Sequence, residues 1–247
     1  MSKYLILLFT FLTNILFAQN RIEVIIPSAE AEAQYVWQTL QDLRFFQKNN
    51  YQVSLPEGEL MEDLKAKALN DSLSPTDYNA FKTFFTEKVY DPQKYQGGYL
   101  QVSKQLSSLE QFLRQIGRTK RNWDFTLFPR YRVLLTLYGP GGSYDPEIGQ
   151  ILLYTTPQGG FKQYENPANT IIHEIVHIGM EESIVQHFQL SHAMKERVID
   201  QFVQLSFGKK LPQYRVQNMG EVRIDAYLKN KKSLRYLDQH LQELLKK

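Results

Sequence analysis

The chain of 247 residues has no cysteine. Disulfides, thiolate metal sites and a cysteine nucleophile are thereby excluded, as is an anchor through a lipid-modified cysteine. Charge of one sign is also scarce, since 29 Lys and Arg face 26 Asp and Glu for a formal net charge of +3. So even a balance implies no acidic partner and argues against a nucleic-acid protein, whose affinity rests on a basic excess. The local basic cluster in "GRTKRNW" (Arg118, Lys120, Arg121) reads as a solvated turn. After the first twenty residues no apolar run is long enough to cross a membrane, and the chain holds no internal repeat or low-complexity tract.

The first twenty residues are the exception. Lys3 precedes an uncharged apolar run over residues 4–17, and "FAQ" follows. That is the layout of a secretory signal peptide cleaved after Ala18, and the run is shorter than the roughly 20 residues that span a bilayer. The expectation is a signal peptide over residues 1–18 and a periplasmic or secreted mature protein with no stable membrane insertion.

The remainder is 43% hydrophobic over the whole chain, enough to bury a core without disulfides. "RIEVIIP" alternates as a strand does. Residues 29–47 carry apolar side chains at helical spacing, and "LSPTDYNAFKTFF" opens a second helix with Ser74 as cap and Pro75 at its first position. A third helix is predicted over 99–116, ending at Gly117. Beyond Trp123, "RYRVLLTLYG" and "GQILLYTT" read as strands joined by the turn-rich "PGGSYDPEI", and should pair as an antiparallel hairpin. Two more helices follow, one started by Asn166 and Pro167, the other by Ser191 with Gly208 past its end. The expected class is α+β, mostly helical with a small antiparallel sheet. A mainly helical region spans 19–122 and a second region 123–247, with the weak boundary at 117–122; one continuous domain is the alternative.

The second region contains "NTIIHEIVHIGMEESIVQHF". His173 and His177 stand four residues apart, so a helix puts both imidazoles on one face, a turn apart. One ion can then sit between them, and Glu174 lies beside them to accept a proton from an activated water. Ile171, Ile172, Ile175, Val176, Ile178 and Met180 leave that helix almost no solvent face, and unpartnered polar groups would be costly there. With 5 His and the glutamates of this chain in random order, chance produces the His-Glu-x-x-His pattern roughly once in two hundred sequences. A third ligand is required, and Glu181, Glu182, Glu196 and Glu221 are the candidates, with His192 as an outsider. Glu181 lies ~12 Å along the axis from His173, a distance that suits a supporting role better than ligation. Glu182 points to the opposite side of the helix, into a buried pair or the sheet.

His173-Glu174-Ile175-Val176-His177 after an edge-like strand over 149–156 resembles the zincin metallopeptidases, in which such a strand docks extended substrate. The likeness covers about residues 130–207. Glu196, nineteen residues after His177, resembles the ligand spacing of the gluzincin branch, the thermolysin and aminopeptidase N type. By that resemblance Zn2+ is held by His173, His177 and Glu196, and Glu174 is the general base. Asp200, four residues after Glu196 in "KERVID", would orient His173, and His192, Tyr214 or Tyr227 would steady an oxyanion. The implied function is a zinc-dependent hydrolase acting on a peptide or protein. The rival is a non-catalytic exported module with a structural metal or a buried helix.

Overall fold

The alternating segment Ile22–Ile25 forms strand β1, and its partner is distant in sequence. A computed structural model describes residues 21–246 apart from Gln163 and Met219, so the expected signal segment lies outside the described residues. β1 pairs in parallel with β2 (Tyr131–Thr136), Ile22 opposite Tyr131. The far side of β2 pairs in parallel with β4 (Gln150–Tyr154), and β3 (Ser143–Asp145) adds antiparallel to β4. The order is β1-β2-β4-β3.

The class is α+β, but the sheet is mixed rather than antiparallel. The expected hairpin between 130–139 and 149–156 does not form, because the connection between them reverses once more as β3. That extra reversal turns β2 and β4 the same way. The strand expected at an edge, β4, has neighbours on both sides, and β3 is the edge instead.

Helices surround this sheet. α1 (Ala29–Gln41) is capped by Ser28 and stops at Asp42, where the short α2 (Leu43–Lys48) begins; the periodic stretch 29–47 is thus two helices. α3 (Glu59–Leu69) precedes α4 (Pro75–Phe84), which opens on a full capping box between Ser74 and Asp77. Such a cap contributes about 1 kcal/mol. α5 (Gln96–Arg118) runs through Gly117, and α6 (Ala168–Met180), α7 (His192–Phe207) and α8 (Leu237–Leu245) complete the set.

Apolar side chains gather in two clusters. The smaller joins α1, α3 and α4 through Val36, Trp37, Leu64 and Phe81. The larger joins the sheet to α5, α6, α7 and α8, and it includes Ile22 and Leu113 from before residue 122. The link at 117–122 therefore runs within one core instead of dividing two. Tyr90 and Tyr138 touch both clusters. At this seam Glu32, only 1% exposed, accepts hydrogen bonds on Oε1 from the Tyr95 hydroxyl (3.0 Å), the Thr136 hydroxyl (2.9 Å) and the Leu137 N–H (3.2 Å). Burial outweighs those bonds and pushes its carboxyl up to about 7.

One glycine fixes how α6 meets its neighbours. A Cβ on Gly179 would run into the Phe125 ring, which is stacked on Phe202. Alanine gains ~1 kcal/mol of helix propensity over glycine, but forcing a methyl into packed space costs about 1–3 kcal/mol. Gly179→Ala should therefore lower the melting temperature, which a thermal melt followed by circular dichroism would read. An unchanged or raised midpoint would mean that Phe125 can move aside.

Candidate metal centre

α6 starts where Asn166 Oδ1 accepts the Ala168 N–H (2.9 Å), next to Pro167. Every residue of α6 other than His173 is buried, as its near-unbroken apolar sequence demands. One turn apart, the Nε2 atoms of His173 and His177 stand 2.9 Å from each other. α7, capped by Ser191 accepting from the Met194 N–H, brings Glu196 across. Its Oε2 is 3.2 Å from Nε2 of His173 and its Oε1 is 3.3 Å from Nε2 of His177. Three donors on one tetrahedral ion at ~2.1 Å sit roughly 3.4 Å apart, close to these separations. The His173, His177 and Glu196 cluster, with its ligand atoms all within 4.8 Å, can hold a metal ion.

The supporting residues decide which nitrogen faces the ion. Asp200, 1% exposed, lies 3.3 Å from Nδ1 of His173. Tyr214 joins them: its hydroxyl donates to Asp200 Oδ1 (2.6 Å) and stands 2.6 Å from Nδ1 of His173. Asp200 Oδ2 also accepts the Gln217 N–H (2.7 Å). With Nδ1 engaged on that side, Nε2 is left for ligation. His177 differs, because its Nδ1 is buried without a hydrogen-bond partner. Its ring is held by stacking on Tyr144, centroids 4.8 Å apart and planes 12° from parallel. Tyr144 is itself anchored, donating to Glu181 Oε2 (2.9 Å) and accepting from Lys195 Nζ (3.0 Å).

Burial alone would lower the pKa of His173, but hydrogen bonds to Asp200 and Glu196 outweigh it and lift it to about 10. Burial, then the neighbouring charge on His173, pushes His177 down to about 4. The pair thus favours a protonated His173 beside a neutral His177, and a metal ion would compete with protons for these nitrogens. Burial acts to raise Glu196, yet the two histidines overcome it and keep its carboxyl well below the ordinary range. Glu174, 7% exposed, is raised by burial to about 7. A cleft of about 470 Å³ opens over these groups, with Gly142 and Tyr144 on one wall and Tyr51 and Lys195 among the other lining residues. Gly142 allows the close approach, since a Cβ there would meet Glu174 Oε1 at 2.7 Å.

Of the residues singled out from sequence, His173, Glu174, His177 and Glu196 converge on this cleft. Asp200 and Glu196 are both buried and face the site. His192 is 54% exposed and stands at the same cleft, its Nε2 3.0 Å from the Tyr51 hydroxyl and its Nδ1 3.8 Å from Glu196 Oε1. Tyr214 is buried behind His173, and Tyr227 packs beside His240 instead. Glu182 is exposed, contrary to the buried placement expected. α6 gives way to a π-helical stretch at Glu181–Gln186, and the widened turn breaks the periodicity that predicted its direction. Glu221 caps a short turn and pairs with Arg223, while Asp225 pairs with Arg197. Tyr144, Tyr51 and Gln217 were not foreseen; Tyr144 was at best hinted at as the lone aromatic of the turn-rich "PGGSYDPEI". No protein-family model, curated protein or solved structure matches the chain.

Proposed function

We propose that the chain is a zinc-dependent hydrolase, a peptidase with a gluzincin-like ligand set and a zincin-type core. The observation that carries this is the convergence of His173, His177 and Glu196, with Glu174 beside them on one cleft. Two imidazoles and one carboxylate suit zinc, and three protein ligands leave a position open, as catalytic sites require. A closed structural site would need a fourth ligand, and among the described residues the cluster has three members.

Bound there, zinc supplies a Lewis acid that acidifies water and polarises a carbonyl. Glu174, on the cleft beside His173 and His177, is placed to take the proton of the attacking water and pass it to the leaving amine. Asp200 and Tyr214 hold the His173 ring, and the stacked Tyr144 holds His177. His192, at the cleft beside Tyr51, donates to the developing oxyanion. β3 offers its free edge beside the cleft, where an extended peptide adds main-chain hydrogen bonds. The apolar run over 4–17 supports a periplasmic or secreted setting.

Metal analysis of the purified protein tests the proposal directly. One zinc per chain is expected, with hydrolysis of an unstructured protein substrate that stops on chelation and returns when zinc is restored. Failure to take up zinc, even when it is added back, would end the enzyme reading.

A further inference from the structure

Away from the cleft, the last two turns of α5 line a groove of about 1010 Å³ together with residues 231–236. Arg114, Arg118 and Arg235 line it with four lysines, Lys231 and Lys232 among them, and no carboxylate does. All seven side chains are exposed, and none joins an ion pair among the described residues. In a chain of net charge +3 this is a strong local concentration. Arg118 in the last turn of α5 and Lys210 just beyond α7 offset helix dipoles, but that accounts for two of the seven.

We propose that this groove docks the protein peripherally onto a membrane surface rich in anionic phospholipid. The cations sit on long flexible stems, with no buried polar group among the lining residues to fix one small anion in one pose. Such an array suits headgroups that move laterally and are attracted collectively. A single-stranded nucleic acid would want a series of stacking faces, and among the described residues Tyr236 is the one aromatic lining the groove. Tyr236 is 38% exposed with the Arg235 guanidinium 5.5 Å from its ring centre, an amphipathic pair of the kind found at headgroup depth. α7 separates the two sites: His192 begins it at the metal cleft, and Lys210 lies past its far end. At 1.5 Å per residue that is more than ~20 Å, so docking leaves the cleft open.

Vesicle flotation of the full chain tests this, with phosphatidylcholine vesicles made with and without phosphatidylglycerol. Any binding through the apolar run over 4–17, where that segment is retained, would be common to both kinds, so the readout is the excess binding to the anionic ones. That excess should vanish at high salt and fall by at least about tenfold in Lys231→Glu/Lys232→Glu. A control with the same charge change, Lys82→Glu/Lys104→Glu at exposed sites elsewhere, should stay within about twofold of wild type. Equal loss in both double variants would reduce the effect to net charge and overturn the proposal, as would equal binding to both vesicle types. Salt-sensitive binding of a single-stranded oligonucleotide without any anionic-lipid excess would overturn it in favour of nucleic acid. The wild-type lipid and salt comparisons decide even if a variant misfolds.

Discussion

Glu174→Gln should keep the metal and lose turnover, with kcat falling by ~10²–10⁴-fold, the usual contribution of a positioned proton acceptor. The substitution preserves shape in a tight place, between α6 and Gly142, where a Cβ would already meet Glu174 Oε1 at 2.7 Å. It removes only the capacity to take a proton. Metal content should be unchanged, because the donor atoms belong to His173, His177 and Glu196. His177→Ala is the contrasting case. It deletes one of three donors, so metal and turnover should disappear together. Metal analysis and a peptide-cleavage assay on the same preparations separate the two outcomes. Full activity in the Glu174→Gln protein would falsify the assigned role, and loss of metal there would move Glu174 into the ligand set.

A second large effect is expected far from the cleft, at the seam between the two apolar clusters. Glu32→Ala should destabilise the fold by about 2 kcal/mol or more, since it strands the Tyr95 hydroxyl and the Leu137 N–H, while the Thr136 hydroxyl can still donate to the Tyr138 carbonyl. Glu32→Gln should behave oppositely, because all three donors use one oxygen and the amide retains it. The pH dependence follows in sign. The folded pKa of about 7 lies above the ordinary 4.5, so the folded state holds the extra proton between those values. Stability from this group therefore falls as pH rises from about 4.5 through 7, by up to about 3 kcal/mol. Glu174 is raised in the same direction, so the wild-type slope alone does not isolate Glu32. The difference between wild type and Glu32→Gln does, and urea melts at pH 5 and pH 8 would measure it by linear extrapolation. A Glu32→Gln protein as unstable as Glu32→Ala would show that the carboxylate, not the shape of its hydrogen bonding, holds the seam.

What sequence could show followed from local rules. The histidine pair and Glu174 were legible because helical spacing alone puts them together, and Ser74, Pro75 and Ser191 because caps act within three residues. The likeness to a known ligand spacing singled out Glu196, and only tertiary packing turned its helix face inwards. Tyr144 was hidden for a different reason: it comes from β3, a three-residue strand inside a turn-rich connection that pairs only with β4, so no local pattern marks it. The hairpin expectation assumed the shortest connection between two strands. It failed because β1 occupies one side of β2 and β3 folds between β2 and β4 in the chain. Glu182 was misjudged by extending α6 through a stretch that widens to π geometry.

The placement of β1 has a kinetic consequence. Ile22 pairs with Tyr131, with α1 through α5 in between, so the sheet cannot be completed until most of the chain is present. Closing so long a connection puts a large entropic step ahead of the strand contacts that reward it, and such high contact order slows folding. Helices with local contacts can form first, the capped α4 among them. Until β1 arrives, β2 presents an unpaired row of N–H and C=O groups, the kind of edge through which chains associate wrongly. Refolding yield should therefore be limited by protein concentration more than by the survival of the helices.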